Sequence, residues 1–318
     1  MAAVIPIDRA NDMVMGDDFL AYMQETETQA KVVSASAYRD DLIAALFSPS
    51  TERFAYLPWS KAREQMQFRP GEVTMWAGSN GSGKSMLLGF CSLAWMKAGD
   101  KVAIASFEMK PIKLLERYSH QFTRGSQPSQ EAIGRMFDWM HGRLWFYDQQ
   151  GTVRPEQVFA VIRYAADKLK VQHFIVDSLM KCVRGEDDYN AQKDFVDELT
   201  TIARDTGVHI HMVHHVKKPS DEAARPSRYD AKGSGAISDQ IDNALMVWRN
   251  RPKEKLLERR DRGETLTVRE AESLEQPDVT IAVDKQRNGD WEGTIALWYH
   301  KGAKQYCADS RLGLMDFE

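Results

Sequence analysis

Eight consecutive residues, from Gly78 to Ser85, constrain the fold of this chain more than any other stretch. They match the phosphate-binding pattern G-x-x-x-x-G-K-[ST] at every fixed position. A strand-like apolar run precedes them at 72–77, and a helix-like apolar run follows at 86–96. In such a strand, loop and helix, the glycines let backbone N–H groups turn inward around phosphate oxygens. The sequence therefore predicts a nucleoside triphosphate site formed by Gly78, Ser79, Asn80, Gly81, Ser82, Gly83, Lys84 and Ser85.

Four side chains are predicted to carry the chemistry of hydrolysis. Lys84 is expected to reach the β- and γ-phosphates, and Ser85 is expected to hold Mg²⁺. Asp177 ends an apolar run, which predicts a second Mg²⁺-binding group at the C-terminal edge of the sheet. Glu108 follows another apolar run and could orient and deprotonate the water that attacks the γ-phosphate. The alternatives are a capping or turn role for Asp177 and a surface role for Glu108.

Beyond residue 69, apolar runs of strand length alternate with amphipathic runs of helix length. The predicted strands cover 101–107, 144–147, 173–177 and 208–213, and the predicted helices cover 111–123, 155–169 and 191–204. This alternation predicts an α/β fold with a mostly parallel central sheet and helices on both faces. Residues 278–285 and 294–299 alternate apolar with polar side chains around Asn288-Gly289, which predicts a C-terminal β-hairpin.

Two segments differ from this pattern. Residues 1–60 hold two short helix-like stretches, at 17–31 and 38–47, which are too short to own a core. We interpret them as a helical arm or linker that either covers the main domain, residues 61–318, or packs on a neighbouring subunit. Residues 252–276 are dense in Lys, Arg and Glu and are predicted to form a solvated loop or flap.

Bulk properties limit the classes of function. The net charge is −4, so a nucleic-acid site would have to be a local basic patch. The three cysteines form no C-x-x-C pair, which favours a reduced setting. The sequence lacks an N-terminal signal pattern and a long apolar run, which predicts a cytoplasmic protein without a membrane span.

Four histidines crowd the predicted strand that follows the second acidic group. His209 and His211 would share one face of that strand, with His214 and His215 at its end. A zinc site is conceivable, but no Asp or Cys stands at a suitable spacing. A histidine at the strand end that senses the γ-phosphate is the more economical interpretation.

Together these motifs resemble the hexameric replicative helicases with a RecA-like P-loop NTPase core: the DnaB family, the phage primase–helicases and Twinkle. The resemblance runs from about Gly71 to Tyr299 and rests on the phosphate loop and several separate motifs. Those motifs are Ser106-Phe-Glu-Met109, Phe174-Ile-Val-Asp177, His214-His-Val-Lys-Lys-Pro219, Asp230-Ala-Lys-Gly-Ser-Gly-Ala-Ile237 and Asp284-Lys-Gln-Arg-Asn-Gly289.

The resemblance implies a role for each matched residue. Glu108 would activate the water, Asp177 would bind Mg²⁺ and His215 would be the sensor. Lys285 and Arg287 would reach the nucleotide of the adjacent subunit, the arginine as a finger. Arg249 matches a position near the nucleotide.

Single-stranded DNA would be gripped by the segment after the sensor. Its predicted DNA-binding residues are Lys217, Lys218, Arg225, Arg228, Lys232, Gly233 and Ser234. Such loops from several subunits would line a channel with positive charge, although an ordinary solvated loop is the alternative. Relatives often carry a glutamine in the helix after this loop, where the chain has Asp239 with Gln240 beside it. Which of the two would couple DNA to nucleotide stays open.

The resemblance implies a ring-shaped, motor-only helicase, a layout that fits a phage-encoded protein in the host cytoplasm. It would use ATP or another NTP or dNTP with Mg²⁺, form a homo-oligomer, expected to be a hexamer, and travel 5′→3′. A separate primase, loader or polymerase would be its partner. Two other functions stay open: a RecA/RadA-like DNA filament or loader, and a clock- or signalling-type ATPase without a DNA role.

Overall fold

The computed structural model describes residues 35–47, 54–183, 188–216, 224–231 and 234–318. The chain divides into two compact units, residues 1–54 and residues 55–318. In the first unit, helix α1 (Arg39–Phe47) follows a 3₁₀ turn at Ala35–Tyr38 and exposes Leu42, Ile43 and Phe47. The helix predicted over 38–47 is present, whereas the helix predicted over 17–31 lies outside the described residues.

The second unit alternates strands with helices along the chain. Its strands are β1 (Ala55–Tyr56), β2 (Gln67–Phe68), β3 (Val73–Gly78), β4 (Val102–Ser106), β5 (Leu144–Tyr147), β6 (His173–Asp177), β7 (His209–His215), β8 (Asn243–Arg249), β9 (Val279–Gln286), β10 (Gly293–His300) and β11 (Gln305–Cys307). Its helices are α2 (Lys84–Lys97), α3 (Pro111–Thr123), α4 (Gln130–Met140), α5 (Pro155–Tyr164), α6 (Tyr189–Thr206), α7 (Ser234–Gln240), α8 (Arg251–Asp261) and α9 (Val268–Ser273). A membrane-spanning helix is not found in the described ranges.

Nine strands form one sheet in the order β11-β10-β9-β8-β3-β7-β6-β4-β5. The six strands from β8 to β5 are parallel, whereas β9, β10 and β11 extend the sheet as antiparallel neighbours. Strands β1 and β2 form a separate antiparallel pair. The mostly parallel sheet and the C-terminal hairpin, β9 with β10, are therefore confirmed.

Both faces of the sheet are covered, as predicted. The strands β3, β4 and β6 are buried along their whole length and mostly apolar, which is typical of a parallel sheet between two helix layers. One core contains Phe90 and Trp95 of α2 with Tyr118 of α3. The other core contains Phe195 and Leu199 of α6, together with residues of α5 and α7.

Residues 252–276 are largely exposed, as predicted, but the prediction that they form a loop is wrong. They hold α8 and α9, and both helices begin with polar caps: Asn250 accepts a hydrogen bond from the backbone of Lys253, and Thr267 forms a capping box with Glu270. Lys253 is buried and forms an ion pair of 2.8 Å with Asp278. Caps and ion pairs stabilise these helices in place of an apolar stripe. Helix α4 and strand β11 were not predicted either.

Candidate active site

The carboxyl ends of five neighbouring strands, β8, β3, β7, β6 and β4, meet along one edge of the sheet. A cleft of about 1000 Å³ opens there, bounded by the phosphate loop after β3. Residues that lie far apart in the sequence come together in it, because parallel strands bring their ends to the same edge. The predicted residues that line the cleft are Ser79, Asn80, Gly81, Ser82, Gly83, Lys84, Ser85, Glu108, Asp177, His215 and Arg249.

Glycine is required at two positions of the phosphate loop. A Cβ at Gly78 would lie 2.3 Å from the carbonyl oxygen of Val247 on the neighbouring strand. Gly83 has φ +92°, and a Cβ there would lie 2.7 Å from the hydroxyl of Tyr306. Only glycine at these positions lets the backbone follow this path into α2, which begins at Lys84.

Lys84 is buried at the centre of the loop. Its Nζ donates hydrogen bonds to the carbonyl oxygens of Gly78, at 2.8 Å, and Ser79, at 3.0 Å. Burial lowers the pKa of Lys84 from 10.5 to about 8, against the opposing charges of Asp177 and Glu108. The ammonium is therefore poorly solvated, and an incoming phosphate would stabilise its charge.

Ser85 and Asp177 form a pair of hard oxygen donors. Burial raises the pKa of Asp177, while a hydrogen bond to Ser85 and the charge of Lys84 oppose the rise. A hydroxyl and a carboxylate are ligands that Mg²⁺ prefers, with the remaining positions left to phosphate and water. The residues present thus fit a triphosphate-bound Mg²⁺.

Glu108 lies beside them and is held by two groups. The hydroxyl of Ser178 donates to Glu108 Oε1 at 2.9 Å, and Nε2 of His215 lies 3.5 Å from the same oxygen. The hydrogen bond from His215, assisted by Ser178, lowers the pKa of Glu108 to about 2 despite partial burial. Glu108 is therefore a carboxylate at neutral pH, in contact with the residue that resembles the family's sensor. Ser178 was missed, although it directly follows Asp177.

The cleft is lined by the predicted Lys84 and Arg249 and by further cations that were not predicted. Arg249 donates to the carbonyl oxygen of Gly81 at 3.0 Å, and Arg251 donates to that of Asn80 at 2.7 Å. The basic residues that line the cleft are Lys84, Arg117, Lys181, Arg249, Arg251 and Lys304, against the carboxylates of Glu108 and Asp177. This excess of positive charge suits a polyanion such as a triphosphate. Arg117 and Lys304 come from α3 and the turn after β10, and no sequence pattern indicated them.

Lys285 and Arg287 do not line this cleft. The backbone N–H of Arg287 donates to the carbonyl oxygen of Asp242, and the N–H of Asp242 donates to that of Val73, at the start of β3. The phosphate loop follows Gly78 at the other end of β3, about 17 Å further along at about 3.3 Å per residue. Arg287 is therefore out of reach of the phosphate loop of its own chain.

The predicted DNA-binding segment is described in part. Lys217, Lys218, Lys232 and Gly233 lie outside the described residues, and Ser234 begins α7. Arg225 is exposed, with its guanidinium 5.2 Å from the centre of the Trp248 ring. The guanidinium of Arg228 donates to the carbonyl oxygen of Asp284 and to the hydroxyl of Tyr229. The Tyr229 residue is 66% exposed.

A family model described as an AAA domain matches residues 62–221, which is half of the chain. The chain belongs to the AAA domain family. The matched residues include the phosphate loop, Glu108, Asp177 and His215. Arg249, Lys285 and Arg287 lie beyond them.

Two solved structures share the fold of this AAA domain. A structure described as a DnaB-like replicative helicase and its interactions with primase is 14% identical, with a TM-score of 0.64, and the match covers 87% of this chain and 67% of that one. A second structure, described as an ATPase domain, is 15% identical, with a TM-score of 0.66, over 88% of this chain and 99% of that one. The fold is therefore the RecA-like fold of DnaB-type helicase motor domains.

His209 and His211 belong to a buried hydrogen-bond network in this AAA domain. The network lies towards the amino ends of the parallel strands, away from the cleft. The indole N–H of Trp76 donates to Nδ1 of His211, so Nε2 of His211 carries the proton and donates to His173 Nδ1 at 3.1 Å. Nε2 of His173 then faces Asp100, and His209 bridges Thr74 and the carbonyl oxygen of Arg69. Each ring is satisfied in its neutral form. Among the described residues, no cluster of His, Cys, Asp and Glu could hold a metal ion, so this network does not support the zinc alternative.

Acid is expected to destabilise the AAA domain through these rings. Burial lowers the pKa of His209 from 6.5 to about 3, and it also lowers the pKa values of His173 and His211. The unfolded chain binds protons below pH 6.5 while the folded network does not, so stability is lost as the pH falls from 6.5 towards 3. For His209 alone, the loss between pH 6.5 and 4 is about 3 kcal/mol.

The variant His209→Gln keeps a donor for Arg69 and an acceptor for Thr74, but it cannot titrate. In urea unfolding between pH 6.5 and 4, it should reduce the average slope of the free energy of unfolding by about 1.2 kcal/mol per pH unit. Equal slopes for wild type and His209→Gln would contradict the account.

Proposed function

We propose that this chain is the motor of a ring-shaped replicative DNA helicase, which couples NTP hydrolysis to translocation on single-stranded DNA and to duplex unwinding. The observation that carries the proposal is the separation of Arg287 from the phosphate loop of its own chain. In a head-to-tail ring, the far edge of one subunit can face the cleft of the next. The likeness in fold to DnaB-type motor domains adds support.

ATP or another NTP or dNTP is held by the phosphate loop, with Lys84 re-aimed from the loop carbonyls towards the phosphates. Ser85 and Asp177 hold Mg²⁺, which neutralises charge on the phosphate oxygens when bound. Glu108 accepts a hydrogen bond from the attacking water and orients it. Its low pKa makes it a weak base, so orientation contributes more than complete proton abstraction.

His215 connects this chemistry to the rest of the domain. It contacts Glu108 at the end of β7, and the segment predicted to bind DNA follows directly. A γ-phosphate that draws His215 away would release one of the two groups that hold Glu108. We therefore assign His215 as the sensor and Arg249 as a nucleotide-binding residue at the mouth of the cleft.

The finger role of Lys285 and Arg287 in a neighbouring subunit makes hydrolysis depend on assembly. An arginine finger supplied in this way increases turnover about 10³–10⁵-fold. Hexameric assembly, a cytoplasmic location and a separate primase, loader or polymerase belong to the same proposal. Residues 1–60 are assigned to subunit packing, which fits the apolar side chains exposed on α1.

We assign DNA binding to residues 217–234. Contacts to phosphates from Lys217, Lys218, Arg225, Arg228, Lys232, Gly233 and Ser234 would carry no sequence information, as a translocating motor requires. Tyr229, which contacts Arg228, offers an exposed aromatic ring on which a base can stack.

The proposal is tested by hydrolysis and unwinding with forked DNA. Single-stranded DNA should raise turnover about 5- to 150-fold, and a duplex should unwind when its 5′ tail is present but not when only the 3′ tail remains. DNA-stimulated hydrolysis in open helical filaments without unwinding would favour the RecA/RadA-like alternative. Absence of any DNA effect at low salt, where phosphate contacts are strongest, would favour a signalling-type ATPase.

A further inference from the structure

Residues 228–242 contain the end of the predicted DNA-binding segment and helix α7. Both ends of this stretch are attached to residues 284–287 of the hairpin. At the downstream end, Nζ of Lys285 donates to the carbonyl oxygens of Ser238, at 2.7 Å, and Ile241, at 2.8 Å. Arg287 donates to the carbonyl oxygens of Asp239 and Gln240 and forms an ion pair of 3.1 Å with Asp242. The last carbonyl groups of a helix lack partners within it and attract cations. The end of α7 is thus fixed by the two residues proposed to act on the adjacent nucleotide.

At the upstream end, Arg228 makes two contacts with Asp284. Its backbone N–H donates to Asp284 Oδ2 at 2.9 Å, and its guanidinium donates to the carbonyl oxygen of Asp284 at 2.5 Å. A capping box between Ser227 and Asp230 fixes the turn that presents Arg228. The segment therefore cannot move at either end without moving residues 284–287 or breaking these bonds.

The backbone at Asp284 is irregular in a way that suits this contact. Lys285 lies opposite Ala244 and Val283 lies opposite Leu245, so Asp284 is an extra residue of β9 between two regular pairs. A bulge of this kind re-aims a side chain out of the regular ladder. Burial raises the pKa of Asp284, whereas the N–H and the charge of Arg228 oppose the rise.

We propose that Asp284 is a positioning residue that transmits the state of the DNA-binding segment to Lys285 and Arg287. This inference rests on the proposed function, because it requires DNA at the segment and a nucleotide beside Arg287. It also accounts for Asp239 at the position where relatives often have glutamine: Asp239 takes part through its backbone carbonyl, so the identity of its side chain matters less.

The test compares Asp284→Ala with Glu292→Ala, the other carboxylate near Arg228, at 4.0 Å and 63% exposed. Three quantities are measured: turnover without DNA, turnover at saturating oligothymidylate, and the dissociation constant for that DNA. For Asp284→Ala we expect turnover without DNA within about twofold of wild type and stimulation by DNA reduced to about twofold or less. The DNA dissociation constant should change less than about threefold, because the phosphate contacts stay in place. Glu292→Ala should behave as wild type.

Two further variants separate positioning from loss of structure. Asp284→Asn keeps an oxygen that can accept the N–H of Arg228 but loses the charge, so stimulation should be intermediate even if Asp284→Ala folds poorly. Asp284→Ala removes the hydrogen bond from the Arg228 N–H, and Arg228→Ala removes the one from the guanidinium to the Asp284 carbonyl. Because both bonds join the same two residues, the double variant should lose less stimulation than the product of the separate losses.

Three outcomes would overturn this inference and leave the proposed function standing. These are unchanged stimulation, equal losses with and without DNA, and weaker DNA binding with full stimulation restored at saturation. If wild type itself shows no stimulation by DNA, the proposed function fails and the role of Asp284 fails with it.

Discussion

Replacing Lys84 with alanine is expected to reduce turnover of the nucleotide about 10²–10³-fold, the usual effect of removing one preorganised donor from a reaction centre. The ammonium is buried, its pKa is lowered to about 8, and it is held by the carbonyl oxygens of Gly78 and Ser79. It is therefore aimed at the place where phosphate charge must be stabilised. Affinity for the triphosphate should fall as well, because the same charge serves both the bound nucleotide and the transition state.

A companion variant isolates the charge. Lys84→Met keeps the apolar stem that packs in the loop, so it should match the loss of Lys84→Ala while unfolding at a temperature closer to wild type. Lys113→Ala, which removes a lysine that is 67% exposed, is the control and should retain full turnover. Phosphate release and binding of a fluorescent nucleotide give both readouts. Turnover of Lys84→Met within about threefold of wild type would contradict this account of the phosphate loop.

Replacing Arg287 with alanine is expected to have the larger effect on hydrolysis, a loss of about 10³–10⁵-fold in DNA-stimulated turnover, with nucleotide affinity nearly unchanged. Affinity should be retained because Arg287 lies at the opposite end of β3 from the phosphate loop of its own chain and does not line its cleft. The finger would act on charge that develops only as the phosphoryl group leaves.

Arg287 also contacts Asp242 and the end of α7, so a structural effect must be separated from a catalytic one. Arg287→Lys preserves a cation for Asp242 but not the planar fork, and it should recover stability more than turnover. Arg311→Ala, at a side chain that is 89% exposed, serves as the matched surface control. If Arg287→Ala weakened nucleotide binding and hydrolysis equally in a preparation of isolated subunits, a role within the same subunit would be indicated.

The parts of the fold and site that follow local rules could be predicted from the sequence. The phosphate loop is a backbone motif. Asp177 ends β6 and Glu108 lies two residues after the end of β4, so the edge of the sheet on which they lie follows from the strand direction. The helices α8 and α9 were missed because their apolar stripe is weak. Their signals were nevertheless present, in Asn250 before Pro252 and in Thr267 three residues before Glu270.

Other features depend on tertiary contacts that no local pattern encodes. Lys285 and Arg287 could be singled out by resemblance, but their attachment to the end of α7 requires the hairpin to fold back beside β8. The contact between Arg228 and Asp284 likewise joins residues 56 positions apart. The buried histidines formed a visible cluster in the sequence, yet their neutral network became evident only with Trp76 and Asp100 beside them.

The central claim, that one subunit completes the nucleotide site of the next, is tested most directly by mixing two inactive proteins. Glu108→Ala removes the group that orients the water, and Arg287→Ala removes the finger. In a ring assembled from equal amounts, about one interface in four pairs an intact Glu108 with an intact Arg287. We predict that the mixture hydrolyses nucleotide well above either parent, in the presence of single-stranded DNA. Turnover of the mixture no higher than the mean of the two parents would contradict the claim, because every site would then need both residues from the same chain.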